Sequence, residues 1–408
     1  MARPANRQTA VEVVSKLRDA GYEALFAGGC VRDMLLGAPS VDYDVATSAT
    51  PDDISRLFRR VLMIGAKFGV AMVILKGRMI EVTTFRSDLD YADGRRPEGV
   101  RFTNAQEDAM RRDFTINGMF YDPLKDEVID YVGGREDLNR RLIRTIGEPD
   151  RRFGEDYLRM IRAVRFAVRL GFELDDPTAR AIAAHAPKIT GISGERIFDE
   201  LRKMLARPDA PQALRLMNEM GLARHVLPEL FAQPELWDRA VDRLAAVAAK
   251  KDLHSALGAV LAEVGPRDIA EITRRWGGSN EIKNSVLWQS KHLHLWAKAP
   301  EMSLAEFKKL LAHGDFNRLR RLWAYEEQRA NGSNAVSKAV VRRIRSIDPA
   351  KIMPRPFVSG DDIKKMGMAQ GPEMGAILKQ VFDLQLNEQL PDRQAALKAA
   401  QTLVNEQR

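Results

Sequence analysis

A single cysteine, Cys30, stands in a chain of 408 residues. An internal disulfide framework is therefore excluded, and a reducing compartment suits the chain. No apolar run approaches the roughly 18 residues needed to span a bilayer. The opening stretch, MARPANRQTAVEVV, has no apolar core of the kind a signal peptide carries. These absences predict a cytoplasmic protein without a membrane partner. Zinc-type spacing is also missing: His292 and His294 lie two apart in a helical stretch, so they point to different faces and make no metal site. No segment repeats with a fixed period.

What is present is apolar and basic. Hydrophobic residues make up 45% of the chain, enough to bury a sizeable core. The length allows roughly two to four domains at about 100–200 residues each. Sixty-four Lys and Arg against 56 Asp and Glu leave a net charge of +8. Such a surplus favours polyanionic partners, nucleic acid first.

Periodicity divides the chain. Val11, Val14 and Leu17 recur at helical spacing over residues 9–21, and Gly21 stops that helix. Short β-rich runs follow at Ala24–Ala27, Val41–Val45, Val70–Leu75, Met79–Thr84 and Val128–Val132. They predict a mixed α/β domain ending near Gly147. After Glu148 strand-like runs vanish and helical periodicity continues almost to the end. Ten arginines face six acids between Arg135 and Arg169. Three prolines mark a linker over Ser346–Pro356, and a small helical unit follows it. The predicted class is α+β, with domains over 1–148, 149–230, 231–350 and 351–408.

The densest chemistry lies in FAGGCVRDMLLGAPSVDYDVAT. Gly28 and Gly29 follow a short strand and lack a Cβ, so their N–H groups can approach a phosphate. Arg32, in the first turn of the next helix, suits a triphosphate oxygen. Asp42 and Asp44 flank one residue in a strand-like run, which sets their carboxylates on one face. Two adjacent carboxylates are costly unless a cation lies between them, and Mg2+ accepts such ligands together with substrate phosphates. Cys30 fits a small buried residue better than a nucleophile. Glu81, in MIEVTTF, is either a third carboxylate near the metal or a solvent-facing residue.

With GG preceding DxD on a strand, the chain resembles the nucleotidyltransferase superfamily of DNA polymerase β type. GGCVRDMLLG…VDYDVAT is similar to the CCA-adding enzymes (tRNA nucleotidyltransferases, class II) and the related bacterial poly(A) polymerases. RRDFTINGM resembles the second motif of that family. It implies nucleotide contact by Arg112 and structural support by Asp113, with a simple bridge between the two as the alternative role of Arg112. YVGGREDLNRRLIRTIG resembles the motif joining head to neck. RFGEDYLRMIRAVRFA resembles the nucleotide-selecting EDxxR motif, here Glu155, Asp156 and Arg159. SGERIFDELRKML resembles the motif bracing the neck, with Glu195 and Arg196 in support.

The resemblance implies an α/β polymerase β-like head followed by an all-helical neck, body and tail. It also implies Mg2+ at Asp42 and Asp44, CTP and ATP as substrates, and a tRNA partner held by its 3′ end and acceptor/T-arm; no DNA is expected. Asp156 and Arg159, three apart, would be neighbours if one helix carried both. The carboxylate accepts and the guanidinium donates, which fits the edges of C and A and mismatches U and G. Family resemblance adds Arg162 and Arg165 to the nucleotide contacts. A helical wheel sets Arg165 about 180° from Asp156, so bracing a domain junction is its alternative role. The Asp88–Val100 segment resembles a flexible loop that reshapes the nucleotide pocket. Gly371-Pro372 begins a tail helix whose N–H groups suit a tRNA phosphate, with a plain helix start as the alternative. The rival activities are poly(A) addition and CC-only or A-only addition; a catalytically dead RNA-binding module is the non-enzymatic rival.

Overall fold

A computed structural model describes residues 4–40, 42–65, 68–88 and 99–407. The central part of the expected 88–100 loop lies outside these residues, as does Val41. The chain forms two compact units. The first holds Met1–Met204 and Asp209–Phe231; the second holds Leu205–Pro208 and Ala232–Arg408.

The first unit is built on a seven-stranded sheet. Its strands are β1 (Ala24–Ala27), β2 (Asp44–Thr47), β3 (Val61–Gly65), β4 (Val70–Leu75), β5 (Arg78–Thr84), β8 (Phe120–Asp122) and β9 (Glu127–Ile129). They run in the order β3-β4-β5-β2-β1-β8-β9. Only β2 and β5 pair in parallel. Two further strands, β6 (Arg86–Asp88) and β7 (Val100–Phe102), form a separate antiparallel ribbon. Helix α1 (Pro4–Asp19) buries Val13, Val14 and Leu17 and packs on β1, β2 and β5. It starts earlier than the periodicity suggests, because Pro4 is well tolerated in a first helical turn.

Among the described residues, the other face is covered only in part. Ala105 and Ala109 of α4 (Ala105–Met110) pack with Ala27, Ala46, Phe85 and Phe120. This cover sits over the β2-β1-β8 end. Strand β2 begins at Asp44, so Asp42 lies just before the strand rather than inside it.

Short helices punctuate the sheet: α2 (Gly29–Leu35), α3 (Pro51–Leu57) and α5 (Gly134–Arg140). Thr50 and Asp53 close a capping box on α3. The helical segment begins with α6 (Pro149–Glu155), α7 (Leu158–Leu170), α8 (Asp176–His185), α9 (Gly194–Leu205), α10 (Ala210–Glu219) and α11 (Ala223–Val226). It is not wholly free of strand: β10 (Leu142–Ile143) pairs in parallel with β11 (Glu173–Leu174). Two residues are too few to register as a pattern.

The second unit is helical, and two local cores recur in it. Phe307, Phe316, Leu319 and Trp323 centre one; Ile363, Ile377, Val381 and Ala400 centre the other. Buried Lys308 donates to the Leu386 carbonyl at 2.9 Å and pairs with Glu388 at 3.1 Å, tying the two regions. The second core includes the helix Pro372–Leu386, which begins at the Gly371-Pro372 step. Among the described residues, no helix is long and apolar enough to cross a membrane.

Gly134 opens α5 in tight contact with Thr115. A Cβ there would collide with the Thr115 carbonyl oxygen and lie 2.8 Å from Met119 Cγ. Gly134→Ala is expected to destabilise the protein by about 2–4 kcal/mol. Gly154, in α6, has nothing within 4 Å of its Cβ position; Gly154→Ala should be neutral or stabilising by about 0.5–1 kcal/mol. Denaturant unfolding of both variants checks the pair; equal effects would contradict this packing.

Candidate active site

A cleft of about 490 Å³ opens at the end of β1 and β2. Gly28, Gly29 and Asp44 line it, together with Arg159, Arg162, Arg165 and Arg169 of α7. Gly28 has φ 72°, a left-handed conformation that only glycine adopts easily. A Cβ there would also press to 3.2 Å from the Arg112 guanidinium. The glycine thus lets the chain turn and lets Arg112 approach.

Eight arginines and three aspartates border the cleft. Eight guanidiniums would repel one another unless carboxylates neutralised them from behind. Arg32 is almost wholly buried; it donates to Asp33 at 2.7 and 2.9 Å and to Asn117 Oδ1 at 2.6 Å. Asn117 passes the interaction on, donating to Asp113 at 3.1 Å. Asp113 also accepts two bonds from Arg162, at 2.6 and 2.9 Å. Burial alone would raise the Asp113 carboxyl, but Arg162 and Asn117 outweigh it and hold it at about 2.

Arg112 does not bridge to Asp113. Buried Asp108 takes it at 2.8 Å and takes Arg111 at 2.6 Å, one carboxylate oxygen to each. Asp108 lies in α4, three and four residues before the two arginines, which follow directly at and beyond the C-cap, so both guanidiniums fold back onto its carboxylate. Arg112 also stacks over Phe120, 5.0 Å from its centroid.

The EDxxR segment differs from its predicted form. Asp156 caps the end of α6 in an extended conformation, and α7 starts only at Leu158. Asp156 and Arg159 therefore do not share one helix, although the Arg159 N–H donates to the Asp156 carbonyl at 3.1 Å. Asp156 accepts from Arg196 at 2.7 Å and from the Leu158 N–H at 3.1 Å. Arg159 donates to Glu155 at 2.6 Å and to the Arg152 carbonyl at 2.7 Å. A wheel drawn through Asp156 thus has no physical basis. Arg159, Arg162 and Arg165 follow each other at three-residue spacing on α7, and all three border the cleft. Arg165 is also anchored to Glu200 of α9 at 2.5 Å. Its guanidinium lies 4.1 Å from the Phe166 centroid, a ring that Arg32 and Arg162 approach as well.

Asp42 is exposed just before β2, and Asp44 is half-buried at its start. Glu81 stands on β5 next to the Val82 that pairs with Val45, so it faces Asp44 across the parallel ladder. Burial, then the charges of Glu81 and Asp42, push the Asp44 carboxyl up to about 6, against the pull of Arg112. Glu81 is thus both solvent-exposed and close enough for its charge to act on Asp44. Among the described residues, no three such groups close into a ready-made metal cage. A hard divalent cation that keeps water and substrate phosphates needs only one or two carboxylates, so the donor set fits one.

The remaining positions separate clearly. Glu195 is exposed in the first turn of α9 and does not border the cleft. Cys30 is buried, its thiol donates to the Ala27 carbonyl at 3.2 Å, and burial pushes it up to about 12; it is no nucleophile. His292 binds the Trp288 carbonyl through Nδ1 at 2.7 Å. Sequence reasoning missed Asp33, Asp108, Asn117 and Glu200. Asp108 carried one available signal, its place three and four residues before Arg111 and Arg112; Glu200 carried none, because its partner Arg165 is 35 residues away.

The raised Asp44 carboxyl yields a pH test. Its folded value exceeds the ordinary value of 3.8. Its contribution to stability is thus present below about pH 4 and is lost as pH rises through about 6. With divalent cations removed, Asp44→Asn should stabilise the protein by about 1–2 kcal/mol at pH 7.5, with the difference shrinking toward pH 4. Urea unfolding in chelator across that range measures it; a variant less stable at pH 7.5 would contradict the charge crowding.

Comparison with known proteins accords with this geometry. The poly A polymerase head domain matches residues 24–144, and the probable RNA and SrmB-binding site of polymerase A matches residues 171–233. A CCA-adding enzyme of Geobacillus stearothermophilus is 35% identical over 398 residues, 96% of each chain. One from Lactobacillus helveticus (strain DPC 4571) is 32% identical, over 95% of each. The crystal structure of the Bacillus stearothermophilus CCA-adding enzyme in complex with CTP superposes with a TM-score of 0.80 at 31% identity, covering 99% of both chains. The Thermotoga maritima CCA-adding enzyme complexed with tRNA shares the fold, with a TM-score of 0.68 at 21% identity over 98% of this chain and 96% of that one. Similarity that runs through nearly the whole length, on a sheet that brings carboxylates and arginines to one cleft, shows that the chain belongs to the CCA-adding enzyme family of nucleotidyltransferases.

Proposed function

We propose that the protein adds CCA to tRNA 3′ ends from CTP and ATP, without a template, and releases pyrophosphate. The observation that carries this reading is the single cleft joining Asp44, the Gly28-Gly29 turn and the Asp156/Arg159 pair. Residues 1–148 act as catalytic head, and 149–230 as the neck that selects the nucleotide. Residues 231–350 and 351–408 serve as body and tail that grip the acceptor and T-arm.

Asp42 and Asp44, with Glu81 beside them, would hold Mg2+, which would supply Lewis acidity toward the 3′-hydroxyl and the α-phosphate and charge neutralisation for the pyrophosphate. Arg32 and Arg112 orient the triphosphate against the Gly28-Gly29 backbone, each fixed by carboxylates behind it. Arg162 and Arg165 extend that positive wall. Pre-oriented donors of this kind lower the barrier because little reorganisation is left for the reaction itself.

Asp156 and Arg159 read the base. Asp156 accepts the exocyclic amine of C or A, and Arg159 donates to the adjacent ring nitrogen. Uracil and guanine offer a carbonyl and a ring N–H in reversed order, leaving buried polar groups unpaired. Arg196 and Glu155 orient these two readers, while Asp113 keeps Arg162 in place. On the helical body and tail, phosphate contacts would give salt-dependent affinity with little sequence preference, which suits an enzyme that accepts every tRNA.

Poly(A) addition is the second reading, favoured by the description of the head-domain model. Transcripts ending before CCA, after C and after CC, each given labelled CTP or ATP, separate the two. Discrete completion supports CCA addition; long A tails on unstructured RNA support the rival; a single-step product indicates CC-only or A-only addition. Asp42→Ala should lower turnover by at least about 10³-fold while tRNA binding survives. Asp156→Ala should admit UTP or GTP, and unchanged nucleotide choice would remove it from base reading.

A further inference from the structure

The sheet face that carries Asp44 continues beyond the cleft, and there it turns apolar. Directly paired residues of neighbouring strands share a face. Glu81 is paired with Met72 of β4, and Met72 with Leu62 of β3. Along the same face, Ile74 is paired with Met79. A row thus runs from Asp44 through Glu81 to Met72 and Leu62. Met79 is 63% exposed and Leu62 46% exposed. Phe102, 43% exposed, packs beside Gly69 at the start of β4. The α4 helix covers this face only at its other end, over β1, β2 and β8. Solvent-exposed Met and Leu on the open face of a catalytic sheet mark a binding surface.

We propose that this apolar face of β3, β4 and β5 seats the 3′-terminal nucleoside of the RNA being extended. The inference rests on the reading that RNA is the acceptor. Strand order supplies the argument. The nucleotide cleft occupies the β1 and β8 side of Asp44, through Gly28, Arg112 and Asn117. The hydroxyl that attacks must reach the carboxylates from another side, and the β5 side is where the apolar face begins. The nucleoside bearing that hydroxyl then lies against Met72 and Met79. The chemistry of this face suits such an occupant. The terminal base changes at every addition, so a seat made of base-specific hydrogen bonds would reject some intermediates. Thioether and aliphatic side chains offer contact without donor or acceptor demands, and methionine adapts its shape. Base stacking is similarly tolerant of sequence, because every base has a flat face.

The test is a two-way comparison in the full-length protein. One axis is Met72→Ala/Met79→Ala against the unaltered chain. The other is a tRNA lacking CCA with an intact terminal base against the same RNA with an abasic terminal nucleotide. With intact RNA, the variant should show a KM for RNA raised about tenfold, while the KM for CTP changes less than about twofold. With abasic RNA, the two proteins should behave alike, which a general loss of structure would not produce. Met79→Ala alone, at a mostly exposed position, should leave the unfolding midpoint unchanged and still raise the KM for RNA, which separates the seat from any packing loss at half-buried Met72. An unchanged RNA KM, or an equal loss on both RNAs, overturns the seat. A wild-type dimer that Met79→Glu dissociates would show that the face is an interface between copies, and also overturns it. If the unaltered protein extends no RNA at all, the proposed function fails rather than the seat.

Discussion

Arginine repulsion is the constraint around which the first unit is arranged. The cleft needs a dense positive wall to take a triphosphate, and such a wall is unstable by itself. Carboxylates placed behind the guanidiniums resolve the conflict. Asp108 holds Arg111 and Arg112, Asp113 holds Arg162, Glu155 holds Arg152 and Arg159, and Glu200 holds Arg165. Asp108, Glu155 and Glu200 do not border the cleft, so they fix their arginines from outside it, whereas Asp113 lines the cleft beside Arg162. Removing one such partner would leave a poorly compensated charge, which is far costlier than losing a surface ion pair.

Asp42, Asp44 and Glu81 show the same logic with the sign reversed. They crowd negative charge beyond what Arg112 offsets, and burial together with that crowding raises the Asp44 carboxyl. The two charged groups are therefore complementary: the carboxylates suit a cation and the arginines an anion. A metal–triphosphate complex would supply both at once.

Much of this was legible in the sequence because it depends on local spacing. Gly28, Gly29, Arg32, Asp44, Arg112, Asp156 and Arg159 do border one cleft. Strands β1 and β4 fall where their apolar runs place them. What escaped depends on tertiary pairing. Asn117 gains its importance from Arg32, 85 residues earlier, and nothing near it in sequence signals that partnership. Strand β3, with its exposed Leu62 and Met63, has no alternating pattern to reveal it. The break between α6 and α7 was hidden because Glu-Asp-Tyr is compatible with a continuous helix; only the extended backbone at Asp156 discloses it.

That break has a mechanical meaning. Asp156 is itself the extended residue between the two rods, and it is tied to the second: its carboxylate accepts from the Leu158 N–H and its carbonyl from the Arg159 N–H, each at 3.1 Å. On one continuous helix the two proposed base readers would sit at a fixed i, i+3 separation. The extended backbone at Asp156 frees that separation from the helical rise and lets the carboxylate reach Arg196 of α9 at 2.7 Å.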